Sequence, residues 1–203
     1  MIKNIIFDMG GVLVGFDKQR CIDAFETIGA HEVAAYVRDF RTEDLFERIE
    51  IGDATTEQFC DEARKICGID VDDQAIIDAW NALLTPCIEE KKQRLLALRS
   101  QYRLFLLSNT NEMHWLHCRD RLIGSAQRPI NHYFEDCFLS YEMHMIKPSE
   151  EIYREVLHRA NIKAEETLFI DDSAVNLEAA AHVGLHTFLE STNHHWIDHI
   201  SLQ

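Results

Sequence analysis

Several features that mark common classes of protein are absent from this 203-residue sequence. No apolar run approaches the length that crosses a membrane, and the first apolar segment reaches Asp8 too soon to be a secretory signal. The six cysteines include no C-x-x-C pair, and there is no internal repeat or low-complexity tract. These absences predict a cytoplasmic protein whose thiols are reduced.

Positive charge is scarce in this chain. It has 20 Lys and Arg residues against 35 Asp and Glu residues, which gives a formal net charge of −15. Such a charge repels nucleic acid and anionic membrane surfaces, so neither is expected as a partner. An anionic small molecule would have to be attracted locally, by a single cationic side chain, a metal ion or backbone N–H groups.

Histidine is frequent, but no cysteine or acidic residue stands at a spacing that would complete a zinc site with it. His114 and His117 are three residues apart, and a second group consists of His194, His195 and His199. We therefore expect these histidines to lie at the surface.

The strongest positive signal is an apolar segment near the N-terminus that ends in a carboxylate. Residues 3–8 predict a buried parallel strand that ends at Asp8, and Gly10 and Gly11 follow it. Ligands of open parallel sheets bind beyond the carboxyl ends of the strands, where Asp8 is expected. The two glycines allow the backbone to turn sharply and to approach a ligand closely.

Further polar groups follow later predicted strands or precede a helix. The strands are predicted over residues 103–108, 137–140, 167–171 and 186–189. Because parallel strands end at one edge of a sheet, the polar groups at their ends are expected to converge. In chain order these groups are Asp8, Ser108 with Asn109, Lys147 ahead of a helix, and Asp171 with Asp172.

In this order and context, the residues resemble the motifs of the haloacid dehalogenase superfamily of aspartate-nucleophile phosphohydrolases. The resemblance extends over residues 3–190. Strands that alternate with helices predict an α/β fold with right-handed crossovers. The resemblance implies a Rossmann-like parallel sheet with the spatial strand order 5-4-1-2-3.

Between residues 17 and 88 the patterns are helical, and no strand pattern interrupts them. A capping box joins Thr55 and Gln58. One helical stripe consists of Ile76, Ile77, Trp80, Leu83 and Leu84. We therefore predict an inserted all-helical cap over residues 17–88 and a core domain formed by residues 1–16 and 89–203.

The resemblance implies that Asp8 attacks a phosphoryl group and forms an aspartyl-phosphate. Mg²⁺ would offset the repulsion between Asp8 and the phosphate, with Asp8, the Gly10 carbonyl and Asp172 as ligands. Asp171 would hold a metal-bound water. Asn176 would orient Asp172 or another water.

Two further groups are expected to act on the phosphate. Ser108 would offer its hydroxyl and nearby N–H groups, and Lys147 would place a positive charge between Asp8 and the phosphate. The predicted catalytic residues are Asp8, Ser108 and Lys147, and the predicted substrate-binding residues are Gly10, Gly11, Ser108, Asn109 and Lys147.

One position departs from the family pattern. Most phosphatases of the family carry a general-acid aspartate two residues after the nucleophile, and here that residue is Gly10. Without this acid, the rate is expected to depend steeply on the quality of the leaving group.

Three functions remain open. The first is a Mg²⁺-dependent phosphatase of a small phosphorylated metabolite, because similar phosphatases that act on glucose 1-phosphate also have this glycine. The second is a metal-independent haloacid dehalogenase, and the third is a phosphate-binding or regulatory protein with weak turnover. Metal dependence of phosphate or halide release distinguishes them.

Overall fold

A computed structural model of the protein describes residues 1–39 and 44–200. Its strands are β1 (Asn4–Phe7), β2 (Gly15–Phe16), β3 (Leu84–Thr85), β4 (Arg103–Ser108), β5 (Asp136–Leu139), β6 (Thr167–Asp171) and β7 (His186–Leu189). Its α-helices are α1 (Lys18–Thr27), α2 (His31–Asp39), α3 (Asp44–Ile51), α4 (Thr56–Cys67), α5 (Asp73–Asn81), α6 (Glu89–Arg99), α7 (Glu112–His117), α8 (Ser140–Met143), α9 (Glu150–Ala160), α10 (Ala174–His182) and α11 (His195–His199).

Five strands form one parallel sheet in the spatial order β7-β6-β1-β4-β5. Numbered among themselves along the chain, these strands have the order 5-4-1-2-3, so the predicted sheet is confirmed. β1 is central, with Phe7 opposite Leu106 of β4 and Ile170 of β6. The ends of three strands therefore meet around the residue that follows Phe7.

Both faces of β1 are covered, which explains its continuous apolar sequence. All four of its residues are buried. Ile5 and Phe7 face one hydrophobic cluster, and Ile6 faces another with Phe105 and Phe169, as the two-residue period of a strand requires.

The helices α1 to α5 share a separate hydrophobic cluster around Trp80 and Phe59, to which Met113 of α7 also belongs. The capping box between Thr55 and Gln58 is present at the start of α4. The division into a core and a cap over residues 17–88 stays a prediction.

The prediction of a purely helical segment is wrong at Leu84. The helix α5 ends at Asn81, and β3 pairs antiparallel with β2, with Leu84 opposite Phe16 and Thr85 opposite Gly15. The apolar spacing continues the helical stripe, but pairing between two distant segments decides the backbone conformation here. This ribbon joins the two chain connections between the sheet and the helices α1 to α5.

The prediction of a surface position is wrong for His114. Its ring is buried, stacks on the ring of Trp80 with 4.8 Å between the centroids, and has Nε2 3.2 Å from the Trp80 carbonyl oxygen. His117, one helical turn later in α7, is half-buried.

The C-terminal helix α11 contributes to the main core. Trp196 of α11 is fully buried, its ring lies 5.0 Å from that of Phe7, and its Nε1 donates to the Val12 carbonyl oxygen at 3.2 Å.

All six cysteines are free, in agreement with the predicted reduced thiols. None of the helices in the described ranges is long and apolar enough to span a membrane.

Candidate active site

The turn after β1 positions Asp8 at the center of the sheet edge. The Asp8 N–H donates to the Ile170 carbonyl oxygen at 2.9 Å, and its Oδ1 accepts from the Met9 N–H at 2.6 Å. Gly11 has a φ of +69°, and its N–H donates to the Val14 carbonyl oxygen at 2.9 Å. The backbone therefore folds back at once, and Asp8 remains at the strand end.

A buried lysine that the sequence did not single out holds this turn. Lys91 of α6 is 2% exposed, and its Nζ donates to the carbonyl oxygens of Val12 at 2.6 Å and Leu13 at 3.1 Å. It also donates to Asn193 Oδ1 at 2.5 Å. Its partners are 78 or more residues away, so nothing in the local sequence indicates this role.

Lys147 is the cation nearest to Asp8 and is 3% exposed. Its Nζ lies 3.0 Å from Asp8 Oδ1, 2.7 Å from Asp171 Oδ2 and 3.3 Å from the Leu107 carbonyl oxygen. Burial lowers the pKa of Lys147, but the two carboxylates outweigh burial and raise the pKa above its usual value. The side chain is therefore a fixed ammonium group beside Asp8.

The last residue of β4, Ser108, and the residue after it, Asn109, lie beside Lys147, and Asn109 positions its backbone. Asn109 donates from Nδ2 to the Lys147 carbonyl oxygen, and its Oδ1 accepts from the Lys147 N–H, both at 2.9 Å. Ser108 is buried at the end of β4. The Asn109 side chain thus holds the Lys147 backbone, and only its backbone N–H is left for the predicted contact with substrate.

The two acids at the end of β6 have different surroundings. Asp171 is 0% exposed and accepts from Lys147, from the Ser173 N–H at 2.8 Å and from Asn176 Nδ2 at 3.0 Å. Asn176 therefore orients Asp171, and the expected contact with Asp172 is not found. These donors saturate Asp171, so it suits an indirect role.

Asp172 is exposed and lies against the turn after β1. A Cβ at Gly11 would be 2.0 Å from Asp172 Oδ2, so only glycine permits this approach. Asp172 also lines an open cleft of about 740 Å³ together with Gly11 and Phe16. Burial, followed by the charge of Asp171, raises the pKa of Asp172.

The arrangement of the acids fits a divalent metal ion. Carboxylate oxygens of Asp8, Asp171 and Asp172 lie within 4.8 Å of one another, and no other group of three such ligands occurs in residues 1–39 and 44–200. Burial raises the pKa of Asp8 to about 7, although Lys147 opposes this shift. Three carboxylates share one ammonium group, so a cation with oxygen ligands would supply the missing positive charge.

The structure shows which side chain occupies the space beside Gly10, where most phosphatases of the family carry an aspartate. A Cβ at Gly10 would lie 2.4 Å from Cζ of Phe16, whose side chain is 56% exposed. The Phe16 ring therefore fills the space that a side chain at position 10 would enter.

The parallel sheet, with an acid cluster at its carboxyl edge, has the architecture of an α/β enzyme whose candidate active site lies at the end of the central strand. The model of the haloacid dehalogenase-like hydrolase family matches residues 2–184. The chain belongs to this family.

Two similar proteins come from Bacteroides thetaiotaomicron. D-ribitol-5-phosphate phosphatase is 30% identical over 198 residues, which cover 97% of this chain and 95% of that protein. A solved structure of a family enzyme in complex with magnesium and inorganic phosphate is 37% identical. It has a TM-score of 0.91 and covers 97% of this chain and 98% of that chain.

The L-2-haloacid dehalogenase from Xanthobacter autotrophicus shares the fold. It is 20% identical, with a TM-score of 0.61, over 92% of this chain and 76% of that chain.

Proposed function

We propose that this protein is a Mg²⁺-dependent phosphoric monoester hydrolase that acts on a small phosphorylated sugar or sugar alcohol. The observation that carries the proposal is the cluster of Asp8, Lys147, Asp171 and Asp172 at the carboxyl ends of β1 and β6. The similarity to a D-ribitol-5-phosphate phosphatase and to a magnesium- and phosphate-bound enzyme supports it.

Asp8 would be the nucleophile. Its carboxylate attacks phosphorus in line, the bond to the leaving oxygen breaks, and the phosphoryl group is carried on Asp8 until water releases it. Lys147 holds the carboxylate by its 3.0 Å contact and places positive charge beside the phosphoryl oxygens. Mg²⁺, held by Asp8, Asp172 and the Gly10 carbonyl, would act as a Lewis acid and a template.

Groups at the ends of β1 and β4 complete the phosphate pocket in this proposal. Ser108, buried at the strand end, offers its hydroxyl to a phosphoryl oxygen. The N–H groups of the turn at Gly10 and Gly11 and of Asn109 supply further donors. Asp171 keeps Lys147 in place through its 2.7 Å contact with Nζ.

Two candidate substrates represent the two kinds of leaving group, an anomeric hydroxyl and a primary alcohol. Glucose 1-phosphate releases an anomeric hydroxyl, which is the more acidic and suits a site without an acid at position 10. D-ribitol 5-phosphate, named for the similar phosphatase, releases a primary alcohol that needs a proton. The chain's similarity to that phosphatase favours a sugar alcohol phosphate as the first substrate to test.

The test is phosphate release from a panel that includes both compounds, with Mg²⁺ and with a chelator. We expect turnover that requires Mg²⁺ and falls by more than about 10⁴-fold in Asp8→Asn, because the amide keeps the shape but is not a nucleophile. Circular dichroism checks that the variant is folded. Binding of phosphate without turnover would favour the regulatory alternative, and metal-independent halide release from a 2-haloacid would favour the dehalogenase.

A further inference from the structure

The proposed reaction lacks a proton donor for an alkoxide leaving group. Gly10 has no side chain, and the Phe16 ring fills the space beside it. No carboxyl group in the cluster at the strand ends is free to donate a proton to the leaving group. Asp171 is ion-paired with Lys147, and Asp172 is a proposed metal ligand. A donor for a primary alcohol must therefore come from another element.

The helix α3 lies over the carboxyl ends of β4 and β5. The Ser140 hydroxyl, which directly follows β5, donates to the Glu50 carbonyl oxygen at 2.6 Å and accepts from the Thr110 N–H at 2.9 Å. A Cβ at Gly52, where φ is +86°, would be 2.1 Å from the Tyr141 carbonyl oxygen. The end of α3 that carries Glu50 is thus fixed against the same sheet edge as Asp8.

The Glu50 side chain is partly buried, and no described residue makes a hydrogen bond or ion pair with its carboxyl group. Burial, and then the charge of Glu47, raise its pKa to about 7. The positive charge of Lys147 acts on it in the opposite direction, so Glu50 lies within electrostatic range of the active-site lysine. It is an unpaired acid that carries a proton at neutral pH in an appreciable fraction of molecules.

The direction of the reaction suits this position. Asp8 approaches phosphorus from the sheet, so an in-line reaction expels the leaving oxygen on the side away from the strand end. The end of α3 lies beyond the carboxyl ends of the strands, because the Glu50 carbonyl oxygen accepts from Ser140, the residue directly after β5.

We propose that Glu50 is the general acid of this enzyme, an inference that rests on the proposed phosphatase function. As Asp8 bonds to phosphorus and the bond to the leaving oxygen breaks, the Glu50 proton passes to that oxygen and the alcohol departs. The Glu50 carboxylate then takes a proton from the water that attacks the aspartyl-phosphate. Inorganic phosphate leaves, and Asp8 and Glu50 return to their starting states.

The experiment compares kcat/KM for a series of aryl and alkyl phosphates in the wild type, Glu50→Gln and Glu57→Gln. Glu57 is an exposed residue in the first turn of α4 and controls for loss of a carboxylate from the same group of helices. We expect Glu50→Gln to lose about 100-fold on alkyl phosphates and less than about 5-fold on 4-nitrophenyl phosphate, because a good leaving group needs no proton. Glu57→Gln should follow the wild type throughout.

A plot of log kcat/KM against leaving-group pKa tests whether Glu50 donates the proton. The proposal requires a steeper negative slope in Glu50→Gln than in the wild type. A uniform loss with an unchanged slope would assign Glu50 to substrate binding and overturn the acid role, as would no loss at all. Absence of phosphate release by the wild type would instead overturn the proposed phosphatase function itself.

Discussion

At the scale of residues, the site depends on buried charges that are kept in place by each other. Lys147 and Asp171 have side chains that are 1% and 0% exposed. The free energy needed to remove both charges from water is only partly offset by their mutual attraction. The pair therefore contributes little net stability compared with apolar side chains of similar size. In the proposed function, the pair supplies a fixed positive charge beside Asp8.

The unequal surroundings of Asp171 and Asp172 predict separate effects of their removal. Asp171→Ala leaves Lys147 half-paired in the core and should lower the free energy of unfolding by about 3–5 kcal/mol. Asp172→Ala removes an exposed ligand and should leave stability nearly unchanged while weakening Mg²⁺ binding more than about 10-fold. Urea unfolding and Mg²⁺ titration of both variants measure the two effects.

The opposite order of Mg²⁺ affinities would reverse the roles assigned to Asp171 and Asp172. A larger loss of Mg²⁺ affinity in Asp171→Ala than in Asp172→Ala, with both variants folded, would make Asp171 the direct ligand.

At the scale of elements, the contact between α5 and α7 joins the helices α1 to α5 to the sheet. Trp80 packs against Phe25, Phe46 and Phe59 on one side and stacks on His114 on the other. Burial lowers the pKa of His114 to about 4, so the ring is neutral in the folded protein at pH 7.

The depressed pKa of His114 predicts a loss of stability in acid. The folded state binds fewer protons than the unfolded state between the ordinary histidine pKa, about 6.5, and the folded value. The stabilisation is complete above the unfolded pKa and decreases as the pH falls toward 4. From pH 7 to pH 5 the wild type should lose about 2 kcal/mol through this group.

A matched comparison isolates this contribution from those of other titrating groups. His114→Phe keeps a ring on Trp80 but removes the titration, so its stability relative to the wild type should rise by about 2 kcal/mol from pH 7 to pH 5. His132→Phe, which replaces an exposed histidine, is the control for the substitution itself. Parallel pH curves for wild type and His114→Phe would contradict the prediction.

At the scale of the whole molecule, the sheet and the helices α1 to α5 have separate hydrophobic clusters. The ribbon of β2 and β3 contains both connections, and the Gly15 N–H donates to Thr85 Oγ1 across it at 3.1 Å. Gly10, Gly11 and Gly15 lie in or beside this junction. This arrangement would allow the helices to move as one lid over the strand ends.

Hydrogen exchange tests the lid. We expect amides of residues 17–39 and 44–88 to exchange faster than those of β1, because local opening of the junction does not require the sheet to unfold. Phosphate with Mg²⁺ should slow exchange in α3 and at the junction. Protection equal to that of β1, unchanged by phosphate and Mg²⁺, would exclude the lid.

The sequence alone determined the sheet and the identity of the acid cluster. Asp8 and Asp172 directly follow buried strands, Asp171 is the last residue of β6, and parallel strands that end at one edge bring these residues together. That logic needs only local patterns and the topology of the chain, so it predicted β1, β4 and β6 and the site residues at their ends.

Tertiary structure decided what depends on distant partners. Lys91 can be buried because Val12, Leu13 and Asn193 accept hydrogen bonds from its Nζ. His114 is buried because the ring of Trp80 stacks on it. Leu84 forms a strand because Gly15 and Phe16 are available to pair. A hydrogen bond or stacked ring between residues far apart leaves no periodic signal in the chain, since each partner taken alone has an ordinary sequence environment.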